Sequence, residues 1–199
     1  MDIGVLGGTF DPVHWGHLKI AEVAVQRLDL NRILFMPAGE PWLKAEKEIA
    51  PSQHRKKMLE LAIEGNPRFT ISTIELDRPG ATYTVETLEM LHAGAGSDTD
   101  IYFLMGWDSL LQLPQWKRPL EIIRMCRIVA FTRSGMGPPD LEMLEEKVPG
   151  ITRNAIILDM PPVDISSSDI RDRVSKGLPI EDLVPESVEE YIRNNRLYV

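Results

Sequence analysis

The stretch "MDIGVLGGTFDPVHWGH", residues 1–17, decides the reading of the whole chain. "DIGVLG" is a short apolar run closing on glycine, which predicts a buried strand. Gly7, Gly8, Thr9 and Phe10 follow, and then two histidines, His14 and His17, stand three apart. The next segment, "HLKIAEVAVQRL", carries Leu18, Ala21, Val25 and Leu28 at helical spacing. The first unit is therefore strand, glycine-rich turn, helix. The glycines are expected to let the backbone turn sharply and approach a ligand closely. The helix start presents N–H groups and partial positive charge, so the unit forms an anion cradle suited to phosphate. Thr9 adds a hydroxyl, and His14 and His17 can share a face and donate to charge that grows on a phosphate. The pattern is neither the dinucleotide fingerprint nor the P-loop. Plainer readings fit the same residues: a glycine pair also makes a simple tight turn, and a histidine pair can be metal ligands. No third ligand is evident and the zinc-protease spacing is absent, so no metal-binding residue is assigned.

Strands and helices alternate through the rest of the chain. "RILFMP", "FTISTIEL", "DIYFLMG", "CRIVAFTR" and "NAIILDM" predict strands. "PSQHRKKMLELAIEG", "YTVETLEMLHAG", "SSSDIRDRVSKG" and "ESVEEYIRNN" predict helices, with short helical pieces broken at Pro114 and Pro119. This order implies an α/β fold, a Rossmann-like doubly wound and mostly parallel sheet with helices on both faces. A single domain over residues 1–199 is expected, with a C-terminal helical segment of about 166–199 packed on it. Ligands in such sheets sit beyond the carboxyl ends of the strands.

Composition narrows the class. The chain has 199 residues and a formal net charge of −8, which argues against broad nucleic-acid or anionic-membrane binding. No apolar run approaches the ~18 residues of a membrane helix. The chain opens directly on a strand without a basic or signal-like start, which predicts a cytoplasmic protein. The single cysteine, Cys126, lies in the apolar run "MCRIVAF" and reads as a buried, inert thiol.

A second cluster stands in "DISSSDIRDR". Ser166 and Asp169 have capping-box spacing, which predicts a capped helix start. The same N–H groups and hydroxyls, with the fork of donors on Arg171, would also hold phosphate.

The string "GGTFDPVHWGH" with a distant "ISSSDIR" resembles the HxGH-type nucleotidyltransferases. "ATYTVETL", "GWDSLLQLPQWKRP", "VAFTR" and "PESVEEYIRNNRLY" extend the resemblance over nearly the whole chain, to the bacterial nicotinate-nucleotide adenylyltransferases. The resemblance implies transfer of AMP from ATP to nicotinate mononucleotide in NAD biosynthesis, with Mg²⁺ carried mainly by the ATP phosphates. It implies His14 and His17 as the catalytic pair. It implies Gly7, Gly8, Thr9, Phe10, Gly106, Asp108, Ile165, Ser166, Ser167, Ser168 and Arg171 at the ATP. It implies Lys44, Tyr83, Thr84, Trp116 and Arg133 at the acceptor, with the Trp116 indole on the pyridine ring and backbone amides at Tyr83 and Thr84 on the carboxylate.

Bland roles compete for several of these residues. Asp108 fits a helix N-cap, Trp116 a core position, Tyr83 packing, and Lys44 and Arg133 solvated surface charge. Trp107, Trp42 and Ser168 depart from the family pattern, which has a small or polar residue, a histidine and a threonine there. Phosphopantetheine adenylyltransferase, preference for nicotinamide mononucleotide, and a nucleotide sensor without chemistry are the alternatives. The expected assembly is a monomer or small homo-oligomer.

Overall fold

The computed structural model describes residues 1–41, 49–95, 99–132, 141–160 and 165–199. Its strands are β1 (Asp2–Gly8), β2 (Arg32–Pro37), β3 (Glu40–Pro41), β4 (Phe69–Ile71), β5 (Ala81–Thr82), β6 (Asp100–Gly106), β7 (Arg127–Thr132) and β8 (Ile156–Asp159). Its helices are α1 (Trp15–Leu28), α2 (Ser52–Ile63), α3 (Thr84–Ala95), α4 (Trp107–Gln112), α5 (Pro119–Met125), α6 (Leu141–Lys147), α7 (Ile151–Asn154), α8 (Ser167–Ser175) and α9 (Glu186–Asn194). Six strands form one parallel sheet in the order β4-β2-β1-β6-β7-β8, and β3 pairs with β5. This is the Rossmann-like doubly wound order expected from the sequence, with its reversal between β1 and β6.

The strands are nearly continuous apolar runs because both faces of a parallel sheet are covered. Alternate residues serve opposite layers. Leu6, Leu104, Val129 and Phe131 face a core shared with α1, α2, α8 and α9. Ile3, Val5, Phe103, Met105, Ile128 and Ala130 face a core shared with α3, α4, α5, α6 and α7. Ile170 of α8 and Val188 and Ile192 of α9 are buried in the first core, and the Ser187 hydroxyl donates to Leu61 O at 3.3 Å. Cys126 is buried in the second core, and burial pushes its thiol up to about 12, as an inert thiol requires.

Two sequence expectations change. "FTISTIEL" does not run on as a strand: β4 stops at Ile71, and the chain closes a turn with Asp77 N–H on Thr73 O at 2.9 Å. The partner strand β2 ends at Pro37, which has no N–H with which to extend a ladder. Helices α6 and α7 were not anticipated; their short stretches, "LEMLEEK" and "ITRN", give too few turns to show a period.

Candidate active site

The β1–β6 register sets Leu6 opposite Leu104, and continuing it brings Gly8 level with Gly106. The site is therefore built at the switch point of the sheet, where the chain leaves β1 for α1 and β6 for α4.

The glycines act differently from expectation. Gly7 and Gly8 are the last residues of β1, and the turn falls later, at Phe10 (φ 50) and the cis Asp11–Pro12 peptide. A Cβ on Gly8 would lie 3.0–3.3 Å from the Phe10 ring, so a side chain there would crowd that ring. Phe10 is buried, and its ring meets that of His17 edge-on with centroids 4.9 Å apart.

His14 is the N-cap of α1, in extended geometry. Its backbone N–H donates to His17 Nδ1 at 3.3 Å, so the neutral His17 ring carries its proton on Nε2. The two rings lie 3.7 Å apart between centroids. His14 is 8% exposed, its Nδ1 has no partner, and burial lowers it from 6.5 to about 4. His14 thus meets its ligand neutral.

Three carbonyls of the loop between β1 and α1 are fixed by side chains from distant elements. Arg55 of α2 donates to Thr9 O at 2.9 Å, Arg171 of α8 to Asp11 O at 2.6 Å, and the Ser167 hydroxyl to Pro12 O at 3.0 Å. Arg55 is only 2% exposed and also donates to Ala38 O and Ala50 O. Burial weakens its hold on the proton, and the nearby Asp11 carboxylate opposes that loss. The start of α8 is thereby joined to the histidine helix. Ser166 caps α8 by accepting Asp169 N–H at 3.1 Å, as its spacing predicted. Arg171 reaches Ser168 Oγ at 3.3 Å, and Ser168 itself is exposed.

Gly106 caps α4 and has open space around it, whereas Trp107 is buried in the second core. Its burial accounts for a large residue between the glycine and Asp108. Asp108 is exposed in the first turn of α4, two positions past the N-cap Gly106. Trp116 is half-buried, edge-on to Phe103 with centroids 6.0 Å apart, and its buried Nε1 has no partner. Lys117 Nζ lies 4.3 Å over the Tyr83 ring, and Tyr83 and Trp116 both pack against the second core. A Cβ on Gly7 would meet the Phe103 ring at 3.4 Å, so this one ring links the β1 end to Trp116. Lys44, Arg133 and Trp42 lie outside the described residues.

Sequence reading missed Arg55, Glu75 and Tyr198. Arg55 had a signal: it stands at helical spacing from Met58, Leu59 and Ile63, all buried on α2. Glu75 accepts the Thr87 hydroxyl at 2.8 Å, and burial raises its carboxyl above the usual range against hydrogen bonds from Thr87 and Thr82. Tyr198 donates its hydroxyl to Asp11 Oδ1 at 2.7 Å across the whole length of the chain, a contact no local pattern encodes.

Comparison with known proteins gives a consistent result. The cytidylyltransferase-like family model matches residues 5–173. A Dehalococcoides mccartyi protein named "Probable nicotinate-nucleotide adenylyltransferase" is 47% identical over 98% of this chain and 96% of its own. A protein of the same name from Roseiflexus sp. is 45% identical over 98% of this chain and 97% of its own. The Plasmodium falciparum nicotinic acid mononucleotide adenylyltransferase complexed with NaAD has the same fold, with a TM-score of 0.76 at 20% identity over 99% of this chain and 97% of that one. The chain belongs to the cytidylyltransferase-like family and, within it, to the nicotinate-nucleotide adenylyltransferases.

Proposed function

We propose that the chain transfers AMP from ATP to nicotinate mononucleotide, giving deamido-NAD and pyrophosphate. The observation that carries the reading is the joint between two helix starts: α8 is tied to the His14–His17 loop through Ser167 and Arg171. Two N-terminal helix ends and two histidines then meet at the sheet's switch point, which suits a polyphosphate. The names of the relatives supply the acceptor.

The nucleophile is the 5′-phosphate of the mononucleotide, which is mostly dianionic near neutral pH because its second pKa is about 6. It needs no general base, so the protein's work is positioning and charge stabilisation for in-line attack on the α-phosphorus. His14 and His17 donate to the phosphates as pyrophosphate leaves. His17 is oriented for this by its Nδ1, which leaves the Nε2 proton for the ligand. Gly7, Gly8, Thr9 and Phe10 supply the wall at the β1 end. Ile165, Ser166, Ser167, Ser168 and Arg171 supply the wall at α8. In that wall the Ser167 hydroxyl already donates to Pro12 O, whereas the Ser166 hydroxyl accepts from Asp169 N–H and keeps its proton, so the backbone N–H groups, Ser166, Ser168 and Arg171 do the binding. Gly106 and Asp108 meet the adenosine ribose.

On the acceptor side the Trp116 indole stacks on the pyridine ring. The first turn of α3, at Tyr83 and Thr84, receives the carboxylate, since a helix N-terminus favours an anion over a neutral amide. Lys44 and Arg133 complete the phosphate contacts in this reading. Mg²⁺ supplies charge neutralisation on the polyphosphate. Among the described residues no three His, Cys, Asp or Glu side chains converge on a point, so the ion fits as one held by the nucleotide's own oxygens and water. No helix among the described residues is long and apolar enough to cross a membrane, and the reading is of a cytoplasmic enzyme.

The test is pyrophosphate release from ATP with a panel of acceptors. Mg²⁺-dependent release with nicotinate mononucleotide, well above that with nicotinamide mononucleotide or phosphopantetheine, is expected. Release with phosphopantetheine alone, or ATP binding with no release for any acceptor, would overturn the assignment.

A further inference from the structure

Resting on the adenylyl-transfer reading, we propose that Tyr198 is a positioning residue, which holds the His14–His17 loop in its working geometry through the buried carboxylate of Asp11. The backbone after α9 is shaped to deliver it. Leu197 N–H closes on Ile192 O at 3.1 Å, and Arg196 (φ 50) and Tyr198 (φ 66) both take left-handed conformations. Residues with a side chain adopt these at a cost, so two in three positions mark a segment held by its surroundings. Leu197 and Tyr198 pack against the core on the α1 face. There the Tyr198 hydroxyl donates to Asp11 Oδ1 at 2.7 Å.

Asp11 is 3% exposed, and this bond is the shortest of the contacts to its carboxylate. Ala50 N–H reaches the same oxygen at 3.3 Å, and Arg171 Nη1 stands 3.7 Å from the other. Asp11 follows Phe10, whose ring abuts His17, and precedes His14 by three residues. The bonds from Arg55, Ser167 and Arg171 to Thr9 O, Pro12 O and Asp11 O fix loop carbonyls, whereas Tyr198 makes the shortest bond to the one acidic side chain of the turn. Burial, the Asp11 charge and the hydrogen bond all raise the phenol's pKa, so it remains a donor throughout the working range. A displaced Asp11 would move Phe10 and with it both imidazoles. Small misplacements of a transfer site cost rate far more than they cost binding.

Tyr198→Phe removes the hydroxyl and keeps the ring. Tyr191→Phe is its control: that hydroxyl lies on α9, 2.9 Å from His54 Nδ1 on α2. Steady-state rates and the ring NMR resonances of His14 and His17 are compared in both variants. Tyr198→Phe is expected to lower kcat about ten- to a hundredfold with KM for both substrates changed less than about twofold. It should also shift or broaden the His14 and His17 resonances, while Tyr191→Phe moves only those of His54 and leaves kcat alone. The proposal fails if Tyr198→Phe keeps both kcat and the two ring signatures while losing only melting temperature, or if the two variants lower kcat alike. A wild-type protein with no turnover would sink the adenylyl-transfer reading alone, and the ring spectra would still decide the role of Tyr198.

Discussion

His14 shows at a single residue how burial prepares chemistry. A neutral imidazole with an unpartnered Nδ1 is a poor arrangement for an isolated protein and a good one for a group that awaits an anion. Its folded value of about 4 lies below the 6.5 of an exposed histidine, so the unfolded chain binds the proton more tightly. Stability is therefore full above pH ~6.5 and declines towards pH ~4, by about 3 kcal/mol for this one group. Denaturant titrations between those limits should show the slope in the wild type and a flatter one in His14→Gln; an unchanged slope in the variant would mean that other groups carry it. His17 gives the complementary prediction. One donor to developing charge contributes roughly 3–4 kcal/mol to a transition state. His17→Ala should lower kcat about a hundred- to a thousandfold while the melting temperature moves little, and near wild-type turnover would remove His17 from the mechanism.

At the scale of elements, legibility followed period and length. Strands such as β1, β6 and β7 were plain in the sequence because both their faces are apolar, and α1 because its stripe runs through four turns. β4 was overextended because alternation in "STIEL" persists after the neighbouring strand has ended. The helix starts that form the site were readable from Ser166 and from the histidines, yet the ties between them were not. Arg55 is the clearest case. It looks like one member of a basic surface run, "HRKK", but it is buried and serves carbonyls at the ends of β1 and β2. Its replacement should therefore cost stability as a core residue does. Arg55→Met takes the guanidinium donor from the half-buried carbonyls of Thr9, Ala38 and Ala50, and a loss on the order of 3–5 kcal/mol is expected in chemical denaturation. A loss below about 1 kcal/mol would show that the guanidinium is not the element that closes this end of the sheet.

The whole molecule is a doubly wound sheet whose two cores, in the proposed reaction, would meet its different halves. The α1 and α8 face would supply the polyphosphate side and the α3 to α5 face Tyr83 and Trp116, with Phe103 between Gly7 and Trp116. The fold class and both helix starts were legible from residues 1–17 and 165–171. The Asp11–Tyr198 and Arg171–Asp11 contacts were not, because they join residues more than 150 positions apart and leave no periodic trace. Resemblance, rather than pattern, pointed to the acceptor residues. The central claim is that the bond broken lies between the α- and β-phosphates of ATP and that the nucleotide goes to nicotinate mononucleotide. The most direct measurement follows ATP labelled at the α- or the γ-phosphorus in the presence of nicotinate mononucleotide and Mg²⁺. Adenylyl transfer puts the α label in deamido-NAD and the γ label in pyrophosphate; the γ label appearing as inorganic phosphate, or the α label staying in mononucleotides, would contradict it.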